Sequence, residues 1–119
     1  KYEKKNKNEK LEVAKSIMED GAKEHLKGLR YKIVADEESN TIILYIHATD
    51  TTIAQGVVDG SYFTLRDTMV EFSEVFREML LDLGIDVNVS VCLGDIDEET
   101  ICLGVVNGVI LFDVFEDEK

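Results

Sequence analysis

The chain has 119 residues, of which 45% are hydrophobic, so it is long enough to form one domain with its own core without help from metals or disulfides. Its 25 Asp and Glu residues outnumber its 13 Lys and Arg residues, which gives a formal net charge of −12. Such an excess of carboxylates repels phosphate groups, so we expect no nucleic-acid partner, and no run approaches the roughly 20 apolar residues of a membrane-spanning helix.

Residues 1–9 are polar and rich in Lys and Asn, which predicts a disordered or tether-like lead-in. Residues 10–119 show no linker and no internal repeat, which predicts a single α+β domain. A Lys-rich lead-in is typical of an exported protein that is held by a tether, and equally of a frayed terminus in the cytoplasm. Of these two locations we favour the extracytoplasmic one.

The first half of the domain predicts a helix and then a β-hairpin. Apolar residues recur at helical spacing up to a stop at Gly28, namely Leu11, Ala14, Met18, Ala22 and Leu26. The segments LRYKIVAD and TIILYIHA are rich in β-branched and aromatic residues and are separated by EESN, a pattern typical of two antiparallel strands. Residues 49–60 have no clear pattern, although Asp50 is a candidate cap for a short helical turn and Asp59-Gly60 predicts a reversal.

The second half predicts one more helix and three strands. The helix follows a cap at Thr64, ends at Gly84 and carries an apolar stripe of Leu65, Met69, Phe72, Phe76, Met79 and Leu83. The strands are residues 85–93, ICLGVV and VILFDV, and Asn107-Gly108 between the last two is a strong signal for a tight hairpin. The order α-β-β-α-β-β-β predicts an α+β fold in which an antiparallel sheet of about five strands carries two helices on one face.

The tight turn at residues 107–108 also predicts how the last two strands pair, because a two-residue turn places Val106 opposite Val109. Strict alternation from that pair sends four apolar residues towards the helices, namely Leu103, Val105, Ile110 and Phe112. The same register places Cys102 across from Asp113 on the opposite, helix-free face of the sheet. If Leu93 pairs with Ile101, Cys92 lies directly across from Cys102.

The pair Cys92 and Cys102 is the clearest candidate for chemistry. A reactive thiolate needs a nearby cation or a helix N-terminus, whereas the expected neighbours are Asp113 and the acidic loop GDIDEET, so we predict no catalytic cysteine. The nine residues between the two cysteines and the lack of any further Cys do not fit a zinc site. Two alternatives remain for the pair, which are half-buried thiols or a cross-strand disulfide of an oxidising compartment.

No other motif predicts chemistry. The loop GDIDEET is rich in oxygen ligands but lacks the Gly and the distal Glu of an EF-hand, so we interpret it as a solvated acidic turn. His47 lies near Tyr45 without a Ser, Cys or acid at a recognisable spacing, and no phosphate-binding or hydrolase motif occurs. We therefore predict no catalytic residue, no cofactor and no metal site.

The helix-free face is more apolar than a solvent-facing sheet requires, and its candidate interaction residues are Tyr45, Val106, Val109 and Leu111. This pattern predicts a protein partner, or self-association, through that face. Our first hypothesis is therefore a non-enzymatic binding or assembly domain. The alternatives are an acidic inhibitor or immunity-type protein that docks on a basic partner, and a small enzyme whose site is assembled from scattered residues.

Overall fold

The structure is a computed structural model that describes residues 2–115, and it has an α+β fold with three helices and five strands. The helices are α1 (Lys7–His25), α2 (Asp50–Asp59) and α3 (Ser61–Asp82). The strands are β1 (Tyr31–Asp36), β2 (Thr41–His47), β3 (Asn88–Asp95), β4 (Thr100–Val106) and β5 (Val109–Asp113). The predicted α+β class and the approximate order of elements are confirmed, whereas the prediction of two helices is wrong because α2 is an additional helix.

The five strands form one sheet in the order β1-β2-β3-β4-β5. Neighbouring strands are antiparallel except for β2 and β3, which run parallel. The prediction of a purely antiparallel sheet is therefore wrong. Short loops do give antiparallel pairs, but residues 48–87 carry the chain through α2 and α3 back to the end of the sheet at which β2 began.

The helix α2 has a weak sequence signal because Ile53 is its one buried residue. It begins after Thr49, whose side chain accepts a hydrogen bond from the Thr52 N–H, a standard way to satisfy a free amide at a helix start. Gly60, with φ of 88°, ends α2 and also precedes α3, so the predicted reversal at Asp59-Gly60 lies between two helices. The helix α3 consequently begins at Ser61, and Thr64 is not its cap.

The start of the chain is tied to the domain by two contacts. Asn6 and Glu9 form a reciprocal capping box, so α1 begins at Lys7 and its first turn lies within the predicted lead-in. The Tyr2 N–H donates a hydrogen bond to the Leu83 carbonyl at the end of α3, and Tyr2 packs against the core. Tyr2 therefore contacts the folded domain, and residues 7–9 belong to α1.

One face of the sheet forms the floor of a single hydrophobic core. The inward side chains of β2, β3 and β4 are buried, namely Ile42, Leu44, Ile46, Val89, Val91, Leu93, Leu103 and Val105. The parallel register aligns Ile42 with Val89 and Leu44 with Val91, so the inward rows of the two strands are continuous. All three helices contribute buried residues to this same cluster, and within residues 2–115 none of them covers the other face.

The helix α3 is rotated from the orientation that its apolar stripe predicts. It buries Met69, Phe76 and Leu80, together with Tyr62 and Ser73, against the sheet. Leu65, Phe72 and Met79 belong to the predicted stripe but remain partly exposed at its flank. The rotation follows from the two polar members of the buried set, because the Tyr62 hydroxyl donates to Asp113 and the Ser73 hydroxyl accepts from the Gly108 N–H.

The strand β5 departs from the predicted register after its second residue. Val106 pairs with Val109 and Val105 with Ile110, as the tight turn predicts, but Gly104 pairs with Phe112 and Leu103 with Asp113. A β-bulge therefore leaves Leu111 as the extra residue, since one inserted residue reverses every later side chain. The prediction that Phe112 points inward and Asp113 outward is wrong, because Phe112 is exposed and Asp113 is buried.

We expect Leu103→Ala to lower the free energy of unfolding by about 2 to 5 kcal/mol, because Leu103 is fully buried and its removal leaves a cavity. Urea unfolding monitored by circular dichroism measures this loss. Val58→Ala is the control, because Val58 is 82% exposed and its truncation should cost less than about 0.5 kcal/mol. Equal losses in the two variants would contradict the assignment of Leu103 to the core.

Candidate functional site

The two cysteines are free thiols, and they do not face each other. Cys92 on β3 pairs with Gly104 rather than with Cys102, because Leu93 pairs with Leu103 and not with Ile101 as the sequence predicts. A second bulge leaves Cys102 without a partner in the ladder, and its thiol donates a hydrogen bond to the Leu93 carbonyl at 3.4 Å. Cys102 packs against the core, whereas Cys92 lies on the helix-free face beside Tyr45.

Neither thiol is in an environment that activates a cysteine. Burial raises the pKa of Cys92 and outweighs the opposite effect of the Ser90 hydroxyl, which lies 3.7 Å from the sulfur. Burial also raises the pKa of Cys102, and the carboxylate of Asp113 acts in the same direction. Because the thiolate is the reactive form, both residues are suited to packing rather than to nucleophilic attack.

We expect iodoacetamide to modify Cys92 and Cys102 about tenfold or more slowly in the folded protein than in urea, because burial disfavours both thiolates. Mass spectrometry of Cys92→Ser and Cys102→Ser follows each thiol separately. A thiol count on the unfolded chain without reductant distinguishes two free thiols from the disulfide alternative. Fast modification of either folded thiol would contradict the packing role.

Among residues 2–115, the most buried charged group is Asp113, which lies beneath α3. Its carboxylate accepts hydrogen bonds from the Tyr62 hydroxyl and from Arg66 Nη1, both at 2.7 Å, and from the Phe115 N–H at 3.0 Å. Burial by itself raises the pKa of Asp113, but the hydrogen bonds from Arg66 and Tyr62 together outweigh it and hold the pKa below its ordinary value. The carboxylate is therefore ionised and fully paired.

The same cluster holds Tyr62 and Cys102. Burial and the hydrogen bond to Asp113 hold the pKa of Tyr62 far above its ordinary value, so its hydroxyl stays protonated. The Tyr62 ring meets the rings of Phe63 and Phe115 edge to face, which fixes its orientation. The Tyr62 hydroxyl and the Asp113 carboxylate are bound to each other, and this bond is suited to holding β5 in place. Neither of these two groups is free to act in acid–base catalysis.

A cavity of about 100 Å³ adjoins this cluster. It is lined by Ala48, Thr52, Ile53, Gly56, Ser61, Tyr62, Leu65 and Leu93. Sites for small molecules usually enclose about 300 to 1,000 Å³. This cavity is therefore too small for an ordinary metabolite, and no charged side chain lines it.

His47, Asp95 and Asp97 come together at the loop after β3, and one ligand atom from each lies within 4.8 Å of the others. Several of their acceptor atoms are already in use. His47 Nδ1 accepts a hydrogen bond from the Ile96 N–H at 3.1 Å, Asp95 Oδ1 accepts from two loop amides, and both oxygens of Asp97 bind the Arg30 guanidinium. The group therefore closes the loop by its own hydrogen bonds.

The surface predicted for interaction lies on the side of the sheet away from the helices. Strand register and side-chain alternation place two rows of residues on this side, and each row crosses all five strands. The first row is Lys32, Tyr45, Cys92, Gly104 and Phe112. The second row is Val34, Ile43, Ser90, Val106 and Val109. We define these two rows as the helix-free face. Tyr45, Val106 and Val109 belong to it as the sequence predicts, whereas Leu111 is the bulged residue at its edge.

Phe112 is the member of this face that the sequence did not identify. Its ring lies against Gly104, where a side-chain Cβ would sit 2.6 Å from the ring. Only glycine leaves room for the ring at this position. A glycine in an otherwise apolar strand was therefore the sequence signal that a large side chain packs against Gly104. The polar cluster of Tyr62, Arg66 and Asp113 was also missed, and its signals were a single Asp within VILFDV and an Arg in an acidic chain.

Comparison of the chain with models of protein families, with curated proteins and with solved structures finds no match. Among residues 2–115, no helix is both long enough and apolar enough to cross a membrane. Any functional conclusion for this chain therefore depends on its own residues.

The Asp113 cluster predicts a specific dependence of stability on pH. Because the pKa of Asp113 is depressed in the folded state, its contribution is present above the ordinary carboxyl pKa of about 3.9 and is lost as the pH falls through the folded value. We expect Asp113→Asn to cost about 2 kcal/mol at neutral pH and much less in the range below about pH 4.

Urea unfolding at several pH values measures this difference. The matched control is Asp20→Asn, which changes an exposed carboxylate of α1 and should leave the stability nearly unchanged. A cost for Asp113→Asn that stays constant from neutral to acid pH would show that its charge is not what stabilises β5.

Proposed function

We propose that this domain is a non-enzymatic assembly domain that associates with a second copy of itself by stacking the helix-free faces of the two sheets. The observation that carries the proposal is the exposure of apolar side chains on and beside β5. Val109 is 60% exposed, Leu111 65%, Phe112 43% and Val114 54%. A contiguous apolar area of this kind on a soluble chain usually marks an interaction surface.

Charge supports a copy of the same chain as the occupant. The two rows of the helix-free face contain one ionisable group that is charged at neutral pH, Lys32, in a chain whose net charge is −12. Its ammonium lies 5.2 Å from the centre of the Tyr45 ring, and this cation–π contact partly stabilises the charge. Asp36 lies in the row beyond Val34 and its carboxylate acts on Tyr45, so two such faces can meet about a two-fold axis with few carboxylates between them.

Stacking fits this sheet better than the addition of a strand at its edge. The bulge at Leu111 interrupts the ladder of β5, and a bulge increases the local twist and hinders pairing with a further strand. Five strands at a spacing of about 4.8 Å give a face about 20 Å wide.

We expect the average mass of the wild-type protein to rise with concentration in sedimentation equilibrium, and Val109→Asp to remain monomeric, because the new carboxylate would be buried unpaired in the interface. Val58→Asp is the matched control, since it makes the same change at an exposed valine of α2 and should associate like the wild type. A wild-type protein that stays monomeric up to near-millimolar concentration would refute the proposal, as would equal behaviour of the two variants.

A second candidate function is that of an acidic inhibitor that docks on a basic protein. The observation that favours it is a row of five exposed carboxylates on α3, formed by Asp67, Glu71, Glu74, Glu78 and Asp82. A complex held by this row would weaken steeply with ionic strength, because salt screens contacts between exposed charges. Inhibition of a basic enzyme at low salt that disappears at high salt is the measurement that tests it.

A further inference from the structure

The flank of α3 beside its buried face carries a row of apolar side chains that remain partly exposed. Phe72 of this row stacks on Phe76 of the core, and Leu65 lines the cavity beside Tyr62. Leu65 is 37% exposed, Phe72 39%, Val75 56% and Met79 38%. Leu65, Phe72 and Met79 are spaced seven residues apart, and Val75 follows Phe72 by three. These are the a and d positions of a heptad, the spacing with which one helix packs against another. We define these four residues as the apolar seam.

The five carboxylates of α3 run beside this seam. Their spacings are four, three, four and four residues, so at about 100° per residue they fall within an arc of about 80° that adjoins the seam. With a rise of about 1.5 Å per residue, the row from Asp67 to Asp82 is about 22 Å long. We define it as the acidic row.

The positive charges of α3 do not neutralise most of this row. Arg66 is directed to Asp113 beneath the helix, although its Nε also lies 3.8 Å from Asp67. Arg77 donates to the Val87 carbonyl and approaches Asp86. Within residues 2–115, the other four carboxylates of the row, at positions 71, 74, 78 and 82, form no ion pair. The row therefore presents its charge to solvent.

We propose that the apolar seam and the acidic row of α3 together bind a basic amphipathic helix of another protein. The heptad spacing fits a helix, whose own a and d residues would cover the seam. Lys and Arg residues flanking those positions would lie against the acidic row. This charge pairing selects a basic helix and fixes how that helix lies on α3. A second copy of this chain does not fit here, because α3 against α3 would bring two acidic rows together.

This inference deepens the second candidate function by naming the chemistry of the partner, and it is independent of the helix-free face. It requires binding but not inhibition. A basic helix that binds α3 without affecting any basic enzyme would leave the inference standing and remove the inhibitor function. A wild-type protein that stays monomeric would remove the assembly function and would not affect the binding of the helix.

The experiment uses a synthetic three-heptad peptide with Leu at a and d, Lys at e and g, and uncharged residues elsewhere. Its binding to the full chain is measured by fluorescence anisotropy at low and high salt, and the contact is mapped by amide chemical shifts. The control peptide carries Glu in place of Lys. We expect the Lys peptide to bind, the Glu peptide not to bind, and the largest shifts to fall on residues 61–82.

Two double variants of equal charge test whether the position of the carboxylates matters. Glu71→Lys with Glu78→Lys reverses the centre of the acidic row, and we expect it to weaken binding about tenfold or more. Glu12→Lys with Glu19→Lys makes the same change in net charge at two exposed positions of α1, and it should alter binding by less than about twofold. Thermal unfolding of both variants checks that each is folded.

The seam is tested in the same way by Val75→Ser against Val58→Ser, since both valines are more than half exposed and neither lies in the core. We expect only Val75→Ser to weaken the binding of the Lys peptide. Equal losses in the two double-charge variants, shifts centred away from α3, binding of the Glu peptide, or no binding of the Lys peptide at low salt would each overturn the proposal.

Discussion

The burial of Asp113 beneath α3 is the constraint on which the exposed surface of this protein depends. Its carboxylate can lie inside the domain only because Arg66 and Tyr62 supply a positive charge and a hydroxyl donor at hydrogen-bond distance. Drawing Asp113 inward requires the bulge in β5, since alternation would otherwise send Phe112 to the core. The stabilisation of one charge under the helix is thus coupled to the exposure of Leu111 and Phe112 at the edge of the sheet.

The crossover between β2 and β3 has a comparable effect on the whole fold. A parallel pair needs a long connection, and here α2 and α3 form it on the same side of the sheet as α1. The three helices therefore cover one face, and within residues 2–115 the other face meets solvent. Charged side chains are distributed unevenly between the two sides of the domain. The helix-free face has almost no charged side chains, whereas the outward side of α3 carries five carboxylates. The domain thus presents two surfaces of different chemistry, one almost without charge and the other acidic.

The thiol, imidazole and hydroxyl groups beside the sheet make structural contacts. Cys92 and Cys102 are partly buried with raised pKa values, and the acceptor nitrogen of His47 closes the loop after β3. The hydroxyl of Tyr62 is bound to Asp113. Cys102 bonds across the bulge between β3 and β4, His47 closes a loop, and Tyr62 holds the end of β5.

Much of this architecture can be read from local patterns in the chain. The 3.6-residue periodicity of α1 and α3, the strand-forming composition of β1 to β5 and the tight turn at Asn107-Gly108 all depend on neighbours within a few residues, so the sequence by itself determined them. The direction of β3, the rotation of α3 and the register at the end of β5 depend on contacts between distant residues, such as Arg66 with Asp113, which lie 47 positions apart. A sequence pattern cannot predict such a contact, because an Asp that is buried and an Asp that is exposed are the same letter in the sequence. They can be distinguished only when the position of the neutralising residue is known. Only the tertiary structure decided that Asp113 belongs inside and Phe112 outside, and with that choice which surface is left for a partner.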